Sequence, residues 1–109
     1  MNVAGKWRIT EMDLWDLDAI ELLGPGFINF DSDNTGHFRF IAVDGWMDCR
    51  DAIREGSRAV EFSWSGNDEC DPASGRGWAS VQKDGSLIGH IYFHLGDDSG
   101  FLAVPFDDR

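Results

Sequence analysis

Much of what usually announces a function is scarce or missing in these 109 residues. Only two cysteines occur, Cys49 and Cys70, at a spacing that suits no metal centre, so neither a disulfide framework nor a zinc site is expected. They read as reduced thiols, at least one partly buried; a bridge would need strand pairing to bring them together. No run of about 18 apolar residues occurs, so no membrane-crossing helix is expected. Met1-Asn2-Val3-Ala4 leads straight into Gly5-Lys6-Trp7 without the apolar stretch of a signal peptide, and a cytoplasmic location is expected. Cations are few. Nine Lys and Arg face 20 Asp and Glu, a formal net charge of −11. Such a surface repels nucleic acid and anionic membranes and favours a cationic ligand or a basic partner, although an acid excess also simply keeps a protein soluble. No Gly-x-Ser-x-Gly elbow, EF-hand loop or βαβ pattern is present, so no catalytic residue, cofactor or metal is assigned.

What the chain does have is alternation. Trp7-Arg8-Ile9-Thr10, Phe27-Ile28-Asn29-Phe30, Val60-Glu61-Phe62-Ser63-Trp64 and Ile91-Tyr92-Phe93-His94 place apolar and polar residues on opposite faces, the period-2 signature of half-buried strands. Strands are expected over residues 6–15, 27–31, 37–43, 46–52, 59–65, 78–83, 87–95 and 101–106. The apolar side of the first changes over near Glu11-Met12, which calls for a bulge. Asp16 to Leu23 is the one helical segment, with Asp16 as N-cap and Gly24-Pro25 behind it. Asn34 and Gly36 suit positive φ in the turn before His37. Asp44-Gly45 reads as a turn or bulge, Gly66 to Gly77 as a long irregular loop, and Pro105 as an edge or the end of pairing. Seven or eight sequential strands with hairpin-length links predict one all-β domain over residues 1–109, an up-and-down antiparallel barrel with a short capping helix.

Gly5-Lys6-Trp7 at the start of the first strand resembles the Gly-x-Trp opening of the lipocalin-like (calycin) proteins. That resemblance implies a barrel, often with an internal ligand cavity, whose tryptophan packs at the closed end beneath a basic residue of the last strand. The only late basic residue here is Arg109, past that strand. Four longer motifs, Gly5-Lys6-Trp7-Arg8-Ile9, Phe62-Ser63-Trp64-Ser65-Gly66-Asn67-Asp68-Glu69, Ser74-Gly75-Arg76-Gly77-Trp78-Ala79 and Phe93-His94-Leu95-Gly96-Asp97-Asp98-Ser99, resemble a family of small uncharacterised bacterial proteins. That likeness implies a small β protein and carries no activity.

Two functions follow from the residues. The first is a small-ligand-binding barrel for an apolar or cationic molecule, with Trp7, Trp15, Trp64 and Trp78 as its wall and Glu11, Asp13 and Arg76 as polar contacts. The same aromatics serve equally well to fill a narrow interior. The second is an acidic protein–protein interaction module or a homo-oligomer. An enzyme using His94 with an acidic neighbour ranks behind both, for want of a nucleophile–base set. His90 and His94, four apart on one strand, stand roughly 13 Å from each other and share no ion. Asp68, Glu69, Asp71, Asp97 and Asp98 converge only if their two turns lie at one end of the barrel, and acids in turns ordinarily bond their own backbone. Cys70, among acids, has a disfavoured thiolate.

Overall fold

The computed structural model describes residues 1–107, so Arg109 lies outside it. Eight strands, β1 (Gly5–Met12), β2 (Phe27–Phe30), β3 (Thr35–Phe40), β4 (Val43–Arg54), β5 (Ser57–Asp68), β6 (Asp71–Val81), β7 (Leu87–Phe93) and β8 (Asp98–Pro105), pair antiparallel in chain order. β8 returns to pair with β1 and closes the barrel. Closure removes the open edges that an acidic meander would otherwise expose.

The alternation builds this directly. Trp7 and Ile9 point inward from β1, then the register steps from Ile9 opposite Ala103 to Glu11 opposite Leu102, so Thr10 is the extra residue and Met12 becomes the next inward side chain. This is the expected bulge, and it coils β1 around the barrel. Ile9, Ile28, Phe38, Phe40, Leu87 and Ile91 are completely buried in the interior. Phe38 and Trp64 meet edge to face at 5.1 Å and Phe30 and Phe62 at 6.2 Å. The interior is therefore packed with side chains.

Several local expectations change. Asp44-Gly45 is not a turn; both lie within β4, and Gly45 is glycine because the ring of Phe38 on β3 occupies the space a Cβ would need. Gly77 beneath Phe62 and Gly89 beneath Phe101 follow the same rule, so Gly89 marks close packing. The segment from Gly66 to Gly77 is not an irregular loop. β5 runs on to Asp68, Glu69-Cys70 turns, and β6 begins at Asp71. Gly36 pairs with Phe30 inside the ladder, whereas Asn34 takes the positive φ of the turn, 68°. The helix α1 (Leu17–Ile20) is one turn, shorter than Asp16 to Leu23. Asp16 does cap it, accepting from the Ala19 N–H at 2.9 Å, but only Ile20 is buried. β7 stops at Phe93, which puts His94 and Leu95 in the next turn and leaves Leu95 95% exposed rather than inward. Pro105 ends β8 opposite Trp7. Cys49 is buried, Cys70 exposed, and both are free thiols. Among the described residues no helix is long and apolar enough to cross a membrane.

Candidate functional site at the open end of the barrel

Strand direction puts α1 and the turns at 41–42, 69–70 and 94–97 at one end, and the turns at 31–34, 55–56 and 82–86 at the other. The second end is plugged by the chain's first residues. Val3 is buried there, Trp7 Nε1–H donates to the Val3 carbonyl at 3.1 Å, and the Asn2 amide donates to the carbonyls of Ala52 and Ala59, both at 3.2 Å. Trp7 thus sits at the plugged end.

The first end is only half covered. Ile20 tucks under the lid segment, and its carbonyl accepts from the Ile41 N–H at 2.9 Å. Beside it lies a cleft of about 490 Å³. Its floor is aromatic. Trp15 lies 5.5 Å from Phe40, Phe40 meets Phe93 edge-on at 6.2 Å, and Phe93 meets Trp64 edge-on at 5.2 Å. The floor is thus the top of an aromatic column continuous with the core, which fixes the rings without occupying the mouth. Its rim is acidic. Asp68 and Asp71 come from the last and first residues of β5 and β6, and Asp97 and His94 from the β7–β8 turn. That turn is held by Phe93 N–H to Asp97 carbonyl at 2.9 Å and by His94 N–H to the Ser74 carbonyl at 2.8 Å.

Among the described residues no lysine or arginine lines this cleft. A cleft lined by both carboxylates and aromatic rings can attract a cation by two routes, direct charge and the negative face of a ring. Two acid-bearing turns do share one end, but among the described residues no three Asp, Glu, His or Cys side chains are close enough to hold a metal ion.

The residues singled out in the sequence do not form one wall. Trp15 alone lines the mouth. Trp7 belongs to the plugged end, and Trp64 is core, with its Nε1–H donating to the Tyr92 carbonyl at 3.2 Å. Trp78 is on the outer wall, and Arg76 on that wall lines an adjoining cleft of about 480 Å³ together with Phe93, His94 and Asp97. The Arg54 guanidinium covers Trp78 at 3.6 Å, and that of Arg76 lies 5.2 Å from the ring of Tyr92. Glu11 is exposed on the wall of β1, and the Asp13 carboxylate accepts from the Gly100 N–H at 2.9 Å, pinning β1 to β8. Missing from the sequence reading were Phe40 and Phe93. Their signal was present: each is the last inward-facing residue of its strand at the open end.

His94 is exposed, and among the described residues no carboxylate bonds its ring. The histidine–carboxylate contacts lie on the wall instead, His37 to Asp44 at 2.9 Å and His90 to Asp98 at 2.5 Å. Burial, reinforced by Asp48, Asp31, Asp33 and Asp51, pushes the Cys49 thiol up to about 12, so it is inert at neutral pH. Compared with known proteins, the chain matches no family model, no curated protein and no solved structure.

Proposed function

We propose that this protein binds a small organic cation with an apolar body at the open end of its barrel, in the manner of a lipocalin-like carrier without a deep cavity. One observation carries the reading: in a cleft of about 490 Å³, Trp15, Phe40 and Phe93 share the lining with Asp68, Asp71 and Asp97, and among the described residues no lysine or arginine lines it. The volume falls in the range of small-molecule sites. The net charge of −11 adds long-range attraction for a positive ligand. The filled interior argues against a ligand buried deep in the barrel.

A thermal-shift panel of aromatic amines and quaternary ammonium compounds tests it. A ligand at a hundred times its Kd stabilises the fold by about 2.7 kcal/mol, a shift of several degrees in a chain this size. The shift is expected to vanish in Asp68→Asn/Asp97→Asn. No shift across the panel, or one unchanged in that variant, refutes the reading.

A second reading, an acidic interaction module or homo-oligomer, is favoured by Leu14, Leu17, Leu22 and Leu23, all exposed on the lid segment beside the mouth. Light scattering of wild type and of Leu17→Ser/Leu22→Ser separates the two: a larger mass that falls to that of one chain supports association.

A further inference from the structure

Two tryptophans serve neither the core nor the mouth: Trp78, which the Arg54 guanidinium covers, and Trp46. It projects from the outer wall of β4 and is 53% exposed. Leaving that much aromatic surface in water is costly, yet the side chain is held firmly. His37 on β3 stacks on it with centroids 4.7 Å apart and planes within 14°. His37 is itself fixed, by Asp44 Oδ1 at 2.9 Å and by the edge-on ring of Phe27 at 5.3 Å. Asp44 Oδ1 is in turn held by Arg39 Nε at 3.0 Å.

The orientation of the free ring face follows from the register. His37 is directly opposite Trp46 across the β3–β4 ladder, and 4.7 Å is the spacing of neighbouring strands. Both rings therefore stand upright on the sheet with their faces along the strand-to-strand direction. One face of Trp46 is covered by His37, and the other looks towards β5. There the opposite residue is Ser65, and beyond it on β6 is Ser74. Two small residues in a row leave a notch roughly 10 Å wide beside the indole. Its flanks are hydrogen-bonding groups on the same outer face. Asp44 pairs with Asn67 on one side, and Asp48 with Ser63 on the other.

We propose that this notch is a carbohydrate subsite, with the apolar face of a pyranose ring lying against Trp46 and its hydroxyls bonded by Ser65, Asn67, Asp44 and Asp48. The ligand must combine a flat apolar face with many neutral hydroxyls. An aromatic wall supplies the first need, and carboxylate, amide and hydroxyl groups supply the second. The carboxylates turn away phosphate-bearing rings, so a nucleotide is disfavoured. A rigid, pre-stacked indole loses little entropy on binding. The notch shares Ser74 with the lining of the mouth, but its aromatic wall is Trp46, which the mouth does not use.

The test is native affinity electrophoresis of the protein through gels containing amylopectin, galactomannan, xylan or soluble β-glucan, followed by titration with oligosaccharides of the polymer that retards it. At least one polymer is expected to retard wild type. Trp46→Ala should weaken binding about tenfold or more, as loss of a central aromatic anchor does. Ser65→Tyr, which fills the notch and leaves Trp46 in place, should abolish retardation with an unchanged melting temperature. Asp68→Asn/Asp97→Asn at the mouth should leave it intact. No retardation by any polymer, or retardation that survives both wall variants, overturns the proposal.

Discussion

The two ends of the barrel are finished in opposite ways. At the plugged end the chain satisfies its own groups: Asn2 bonds two strand carbonyls, Val3 fills the opening, and Trp7 bonds the plug that covers it. At the open end one helical turn lies beside a cleft whose lining combines Asp68, Asp71 and Asp97 with the half-buried rings of Trp15 and Phe93. The turns differ as well. The plugged end places Gly56 and Gly85, with Asn34 and Glu55, at positive φ. The open end places Gly24 at positive φ too, and with it Ile41 at φ 57°, Glu69 at 55° and Leu95 at 56°, which like Glu55 lie in a region that side chains other than glycine and asparagine avoid. One end is built for stability. The other has three residues other than glycine at positive φ against two, and carries Asp68, Asp71 and Asp97 around a cleft.

Substitutions at the two ends sharpen this contrast. The largest effect is expected from Trp7→Ala, about 3–5 kcal/mol of stability by urea unfolding, since it removes a buried ring and opens the plug. Asn2→Ala should cost about 1–2 kcal/mol by the same measurement, through two strand carbonyls left without their partner. Trp15→Ala at the mouth should cost less than Trp7→Ala, about 1 kcal/mol, while abolishing the ligand-induced thermal shift. Leu95→Gly should be neutral or stabilise by up to about 1 kcal/mol, because the side chain is 95% exposed and its backbone favours glycine. If Leu95→Gly destabilised the fold as much as Trp7→Ala, the two ends would not differ as described.

The cysteines offer a pH-dependent check. Cys49 has its thiol raised from 9.0 to about 12, so its neutral form stabilises the fold fully below pH 9. That contribution is lost as pH rises from 9 towards 12, because the unfolded thiol ionises first. Cys49→Ala should flatten this alkaline loss. At pH 8 a thiol reagent is expected to label exposed Cys70 rapidly and Cys49 only on unfolding, which mass spectrometry of labelled peptides would read.

The barrel was legible in the sequence because alternation dictates which face of each strand is buried, and the bulge was legible where that alternation changed sides at Glu11-Met12. Its glycines were misread. Gly45, Gly75 and Gly77 look like turn residues in isolation, but they lie in strands where an aromatic side chain or a backbone carbonyl from a neighbouring strand needs the room, a requirement set by partners 7 to 17 residues away. Pro72 lies in the β5–β6 ladder opposite Asn67, where a proline needs only a position at which its missing N–H is not used. The acids of the mouth were legible as two clusters in turns. Their meeting over Phe40 and Phe93 was not, because it depends on which turns share an end. The tryptophans were overvalued as a set: five similar residues went to the plug, the mouth, the core and two places on the wall.

The most direct test of a filled barrel with a cation-selective mouth is a fluorescence titration with an aromatic quaternary ammonium ion beside its neutral, isosteric hydrocarbon analogue. The account predicts that the cation changes tryptophan emission saturably, that the neutral analogue does not, and that Asp68→Asn/Asp97→Asn erases the difference. Equal binding of the two, or tighter binding of the neutral analogue, would mean that an apolar cavity and not the acidic rim holds the ligand, and would contradict it.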